Sequence, residues 1–316
     1  MAKQERAWSP KPHRAVDFNP KAIQRELDSV GCVAVGAKVD GYRAIITPLL
    51  FGLRITTREG IVFKCFDDGW LGRINAALNE AGLLRLGHSV DAELSLYGVP
   101  FDEQGGLFRS HSPLPRDAHL RITVLDYAIT EAFEGPVSVE HGLRSYGDRL
   151  TEFNHLPCIV DAPTAMLTRD YIGKAEDATK ILAMYDLVRE AGFEGLVIKS
   201  YDQLFRNGKV TGWWKLKPEI EEDGTIIDIV LGDADKGNAG KVVGFVVRLE
   251  NGQTANATGF TKAFMEYATE QCQIPNNPFL GRICEVTAME RTQDGKLRHP
   301  KFKRLRDTDY AKGLKV

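Results

Sequence analysis

No stretch of this chain approaches the ~18 consecutive apolar residues that would suggest a membrane span. Its first twenty residues carry Lys3, Arg6, Lys11 and Arg14 with no apolar run between them, so no secretory signal is legible. A cytoplasmic protein is expected. Cysteine is sparse: Cys32, Cys65, Cys158, Cys272 and Cys284 are scattered, and no two form a CxxC pair. That spacing argues against a disulfide framework or a cysteine zinc site and leaves small buried hydrophobes or ordinary thiols. An excess of charge of one sign is missing too. With 41 basic and 43 acidic residues the net charge is −2, so the chain as a whole advertises no polyanionic partner.

The charges that are present are unevenly placed. Six of the eleven residues 296–306 are Lys or Arg, while residues 219–223 form an acidic run. Local patches bind phosphates whatever the net charge. A length of 316 residues suits two domains, and the pattern changes character once. Across residues 33–218 strand-like and helix-like stretches alternate. Residues 89–97 set Val90, Ala92, Leu94 and Leu96 on one face and Asp91, Glu93 and Ser95 on the other. This period of two predicts a half-buried strand with its acids on the open side. Residues 121–129 and 195–200 read as further strands. Residues 175–191 read as a helix with Ile181, Leu182, Tyr185 and Val188 as its apolar stripe and Gly192 as its stop. Pro218 and the acids leading to Gly224 read as a linker.

Beyond that point the pattern is mostly strand. Residues 225–231 and 241–249 are strand candidates, and the second meets Asn251-Gly252, a strong hairpin signal. A helix is expected over 261–271, then two strands around Asp294-Gly295 within 282–306. Short strands with one helix before the last pair suit a small closed barrel of the oligonucleotide-binding (OB) type.

The stretch richest in chemistry is Lys38-Val39-Asp40-Gly41-Tyr42-Arg43. An apolar run delivers a lysine to a turn that Asp40-Gly41 can form. Gly41 removes a side chain where a ligand would approach the backbone, and Arg43 offers a planar donor for phosphate or ribose oxygens. Taken alone, the same residues also read as a strand, a turn and a surface lysine.

Together with later segments they resemble a family. Residues 38–43 fit the KxDGxR signature of the covalent nucleotidyltransferases, the ligases and capping enzymes. Thr57-Arg58-Glu59-Gly60 is similar to the family's second element and Asp91-Ala92-Glu93-Leu94 to its third. Glu194-Gly195-Leu196-Val197-Ile198-Lys199 matches the fourth, and Trp213-Trp214-Lys215-Leu216-Lys217-Pro218 the fifth, all in the family's order. Residues 101–110, 212–224 and 240–258, and Leu297-Arg298-His299-Pro300, look like the DNA ligases of short-tailed coliphages. The likeness runs from about residue 30 to residue 307.

The resemblance implies an α+β chain. An adenylation (nucleotidyltransferase) domain of mostly antiparallel sheets with helices is expected over 1–219, and an OB-fold β-barrel over 220–316. It implies an ATP-dependent DNA ligase that seals 3′-OH/5′-phosphate nicks in duplex DNA, a monomer working in the host cytoplasm, with Mg²⁺ (or Mn²⁺) as its metal. Lys38 would be the nucleophile; a lysine is ordinarily cationic and must lose its proton in place before it attacks. Lys215 and Lys217, two apart on a strand, would grip the α-phosphate from one face. Around the nucleotide the family places Ala37, Arg43, Arg58, Glu93 and Lys199, with Arg58 also suited to the DNA 5′-phosphate. Glu194 and Glu93 would be the metal carboxylates. Tyr127 is expected to stack on adenine, with Leu125 as the alternative occupant of that spot. Arg298, with Lys301, Lys303, Arg304 and Arg306, would orient the β,γ-phosphates so that pyrophosphate leaves in line.

One departure stands out. The position two before the nucleophile, polar in many relatives and facing the adenine edge, is here Gly36. A capping guanylyltransferase, an RNA ligase and a non-catalytic DNA-binding module are the rival readings. Labelled ATP against GTP, nicked DNA against nicked RNA, and formation of a covalent adduct separate them. NAD dependence is not expected: only 37 residues precede Lys38, and the cysteines offer no zinc finger.

Overall fold

The computed structural model describes residues 9–135, 143–235, 237–273, 277–292 and 294–306. Contacts divide the chain into two compact units, Met1–Leu216 and Lys217–Val316. The first unit holds two five-stranded sheets. One comprises β1 (His13–Asp17), β2 (Val33–Lys38), β8 (Tyr171–Ala175), β9 (Gly195–Ser200) and β10 (Gly208–Leu216), in the order β1-β10-β9-β2-β8. The other comprises β3 (Tyr42–Pro48), β4 (Leu53–Thr57), β5 (His88–Leu96), β6 (Leu120–Ile129) and β7 (Leu167–Arg169), in the order β4-β3-β5-β6-β7. Pairing is antiparallel except for β1 with β10 and β6 with β7.

Helices cover both sheets. Helix α1 (Pro20–Val30) starts where the Asn19 side chain accepts the Ala22 N–H and stops at Gly31, whose φ of +83° few other residues adopt. Its Ile23 and Leu27 join Val33, Val35, Ile181 and Ile198 in a core on the first sheet. Helix α2 (Asp68–Glu80) lays Trp70, Ile74 and Leu78 on the second, against Ile46, Leu94 and Ile122. Two short helices follow, α3 (Phe101–Phe108) and α4 (Tyr146–Leu150). Helix α5 (Ala178–Glu190) is shorter than its sequence suggests: Ala175 closes β8, and Asp177 caps the first turn by accepting the Lys180 N–H. Ile181 and Val188 are buried as expected, but Leu182 is 53% exposed and leaves the stripe.

Strand β5 also departs from expectation. Its alternation is real, yet Asp91 and Ser95 are as buried as Val90 and Leu94, and Glu93 is half-buried. The polar face is covered as well, and its groups find partners there: Asp91 pairs with Arg43, and the Ser95 hydroxyl accepts from Arg121 at 3.0 Å.

The second unit is a closed barrel of β11 (Ile220–Leu231), β12 (Val242–Leu249), β13 (Thr254–Thr258), β17 (Lys301–Leu305) and β14 (Ile283–Ala288), in that order. Helix α6 (Lys262–Cys272) falls between β13 and β14, and a ribbon of β15 (Glu290–Arg291) and β16 (Leu297–Arg298) precedes β17. Phe245, Phe264, Phe279 and Phe302 pack at its centre. This is the α+β arrangement with an OB-type barrel. The hairpin at Asn251-Gly252 forms, with Gly252 at φ +82°.

The acidic run is not a linker. All of it but Glu219 lies in β11, a twelve-residue strand, because the barrel supplies partners for its charges: Lys303 to Glu221, Arg306 to Asp223 at 2.9 Å, and Arg291 to Glu222. Glu285 of β14, 1% exposed, adds contacts to Lys303, Arg304 and Arg306. All five cysteines are free. No helix among the described residues is long and apolar enough to cross a membrane.

Candidate active site

The first unit's chain passes from one sheet to the other at two places that matter chemically. After Lys38 ends β2, three residues lead to Tyr42 and β3; at Asp170, β7 of the second sheet gives way to β8 of the first. A cleft with a cavity volume of about 330 Å³ lies beside both passages, lined by residues of both sheets. It contains Ala37, Lys38, Arg43, Arg58, Glu93, Lys199 and Lys215, seven of the residues expected at a nucleotide site.

Lys38 sits at the cleft wall with its side chain 24% exposed and its Nζ ion-paired to Glu194. Glu194, just before β9, also donates its backbone N–H to the Lys38 carbonyl at 3.0 Å, so side chain and main chain register the two residues together. Glu194 does not itself line the cavity; it reaches the site through the lysine. Glu93 approaches from β5 and feels the Lys38 charge. Burial pushes its carboxyl up to about 7, against the pull of Arg43 and Lys38.

Gly41 is required here by protein rather than by ligand. A Cβ at this position would meet the Leu94 carbonyl oxygen at 2.4 Å and Glu93 Cγ at 2.8 Å. The turn after Lys38 is therefore pressed onto β5, which brings Lys38 and Glu93 to one site.

Arg43 lines the cleft, but its guanidinium is largely committed. It forms a two-pronged pair with buried Asp91, 2.6 Å from Nη2 to Oδ2, and Nη2 also donates to the His13 carbonyl at 3.0 Å. Lys199 is committed further. Only 1% exposed, it donates to Asp170 Oδ2 at 2.6 Å, the Leu125 carbonyl at 2.8 Å and Tyr146 Oη at 3.2 Å. Those three acceptors use its three protons. The expectation that Lys199 holds a phosphate oxygen is corrected accordingly: it forms part of the cleft floor. Burial lowers its ammonium's pKa, against the pull of Asp170.

Several residues at the cleft have no role assigned from the sequence. Trp213 presents its ring to Lys199, 4.4 Å from Nζ to the centroid, and stacks on His13 at 4.7 Å. Burial drives the His13 imidazole down to about 4, so it is neutral at physiological pH. Arg14 and Lys209, paired across β1 and β10, bring two more cations to the rim. Lys215 is held by Asp17 at 3.1 Å, and Lys209 stands 3.6 Å from the same carboxylate. Arg58, half-exposed, pairs with Glu59 beside it. The parallel pairing of β1 with β10, far apart in sequence, is what gathers these groups.

Tyr127 is corrected. It is buried in the core of the second sheet, stacked on His88 at 5.3 Å, and does not line the cleft. The cause is a bulge in β6: Asp91 faces Asp126 and Ala92 faces Val124, which leaves Leu125 as the extra residue. Beyond a bulge the alternation of faces reverses, so Tyr127 shares the core with Val124 while Leu125 lines the cleft.

In the second unit, Arg298 lies on β16 and pairs with Glu290 at 3.1 Å. Lys217 is the first residue of that unit. Lys303, Arg304 and Arg306 spend their charge on Glu221, Glu285 and Asp223, so the phosphate-orienting role expected of this cluster does not fit their pairing.

The comparisons with known proteins agree with this architecture. Residues 218–276 match the DNA ligase C-terminal domain family. The chain is 28% identical to the DNA ligase of Enterobacteria phage T3, covering 94% of this chain and 96% of that one. It is likewise 28% identical, with the same coverage, to the DNA ligase of Escherichia phage T7. The structure of the ATP-dependent DNA ligase from bacteriophage T7 in complex with ATP superposes over 94% of this chain and 98% of that chain, with a TM-score of 0.51. With its signature elements in order, the chain is similar nearly end to end to the DNA ligases of phages T3 and T7, the latter an ATP-dependent enzyme.

Proposed function

We propose that this ligase seals 3′-OH/5′-phosphate nicks in duplex DNA by carrying AMP first on Lys38 Nζ and then on the DNA 5′ end. The observation that carries the reading is the setting of Lys38, with carboxylates at Glu194 and Glu93 and the cations of Arg14, Arg58, Lys209 and Lys215 around one cleft.

In the first transfer the Lys38 nitrogen attacks the α-phosphorus, the bond to pyrophosphate breaks, and the amine gives up its proton. Attack needs the uncharged amine, so the Lys38–Glu194 pair must part as ATP binds. In the second transfer a 5′-phosphate oxygen takes the adenylyl phosphorus and Lys38 leaves. In the third, the 3′-OH attacks the 5′-phosphorus and AMP leaves. Negative charge grows on phosphate oxygens in every step, and the ring of cations meets it each time. Lys217 and Arg298 are proposed as further phosphate ligands, and Glu93 as acceptor for a ribose hydroxyl.

The donor set fits Mg²⁺. No group of three or more potential ligands occurs among the described residues, and Mg²⁺ characteristically takes only one or two protein carboxylates, leaving its other positions to water and phosphate. Glu194, with Glu93, would hold it, and Mn²⁺ would substitute. Bound there, the ion would neutralise charge on the α-phosphate. DNA is held mainly by its phosphates, without sequence preference, and the chain is proposed to act as a monomer in the cytoplasm of the phage's host.

Lys38→Ala tests the assignment. AMP labelling and sealing from ATP should fall together, by roughly 10³-fold or more. Sealing of a nick already carrying its adenylate should survive, because the third transfer does not use the amine. Undiminished sealing from ATP would remove Lys38 from the mechanism.

A further inference from the structure

Behind the cleft, buried cations and carboxylates stand in pairs: Arg43 with Asp91, Arg149 with Asp126, and Lys199 with Asp170. In the first two pairs both carboxylate oxygens are engaged. Asp170 is different. Its Oδ2 takes the Lys199 ammonium, while Oδ1, also buried, has no hydrogen-bond partner among the described residues. A buried acceptor left unmatched is costly and calls for a donor from elsewhere. Asp170 is fully buried by protein yet belongs to the cleft lining.

Its position is fixed from several sides. Asp170 donates its N–H to the Val124 carbonyl at 3.2 Å and accepts the Ala37 N–H at 2.8 Å. Its carboxylate also fills the space beside Gly36. A Cβ on Gly36 would meet Oδ2 at 2.7 Å and Cγ at 2.9 Å. Gly36 and Asp170 are therefore alternatives in space: a side chain can stand at one position only because the other leaves room.

We propose that Asp170 is a base-specificity residue, its free Oδ1 accepting an N–H from the exocyclic 6-amine of the bound adenine. The inference rests on the reading of the cleft as the ATP site. Its chemistry is asymmetric. The neighbouring Lys199 has all three protons in use, so the ammonium beside Asp170 is not a free donor and Oδ1 stands as an acceptor. A 6-amino purine satisfies it. A 6-keto purine sets a carbonyl oxygen against a carboxylate, and a purine with nothing at C6 leaves Oδ1 unmatched.

Two measurements test this, both reading the rate of self-adenylylation over a concentration series. In the wild type, purine riboside triphosphate, which lacks the 6-amine, should be poorer than ATP by on the order of 10- to 100-fold in kcat/KM; equal use overturns the proposal. In Asp170→Asn, the amide oxygen stays on Lys199 and the NH₂ faces the base. Preference between ATP and inosine triphosphate should then shift toward inosine triphosphate by about tenfold or more. A purely structural role for Asp170 would depress both nucleotides alike, and an unchanged ratio overturns the proposal. Absence of labelling from every nucleotide in the wild type would instead overturn the ATP reading of the cleft, and this proposal with it.

Discussion

Glu93 is the residue where electrostatics and function meet most visibly. Its carboxyl, about 7 in the fold against an ordinary 4.5, prefers its proton because burial outweighs Arg43 and Lys38. The folded state then binds that proton more tightly than the unfolded chain. The resulting stability is fully present below pH 4.5 and is lost as pH rises through about 7, at most about 3 kcal/mol. Glu93→Gln should lose this dependence: its thermal midpoint should equal that of the wild type near about pH 4 and exceed it near about pH 8. Identical midpoints at both ends would show that the shift is absent. The nearby Gly41 gives a steric test. Gly41→Ala drives a methyl into the Leu94 carbonyl, which should cost about 1–3 kcal/mol in chemical denaturation and slow self-adenylylation by displacing Lys38 from Glu93.

At the scale of elements, pairing decides what sequence patterns leave open. The strands of 89–97, 121–129 and 195–200 were legible because alternation and β-branched content are local, and Lys38, Glu93, Glu194 and Lys215 were legible because their motifs are contiguous. The face that Tyr127 takes was not, since the bulge at Leu125 becomes visible only in register with β5. Nor were Arg14 and Lys209, which reach the cleft through a parallel pairing of β1 with β10, or Asp170, which matters because the chain changes sheets there. The acidic run looked like a linker because its cationic partners Lys303 and Arg306 lie some eighty residues downstream, on β17 and just past its end. That ladder makes its own prediction. Lys303 and Arg304 pull the Glu285 carboxyl down to about 2, so its contribution is present above pH 4.5 and lost as pH falls through about 2. Glu285→Gln should lower the barrel's thermal midpoint at neutral pH by several degrees, an effect that narrows toward acid; no change at neutral pH would mean that the ladder is idle.

For the whole molecule, a net charge of −2 coexists with a cleft ringed by cations. Affinity for nicked duplex should therefore come from local phosphate contacts and fall with salt, by on the order of 10³-fold between about 50 and about 200 mM if six or more phosphates are neutralised. A flat salt response in a binding titration would contradict that. Each unit has its own core, and every residue lining the cleft lies in the first. The proposed cycle stands on a covalent bond from one lysine to AMP. Intact-mass measurement after incubation with ATP and Mg²⁺, followed by peptide mapping, reads that bond directly. One adenylyl group per chain on the peptide bearing Lys38 is the predicted result; an unmodified chain, or an adduct on any other residue, would contradict it.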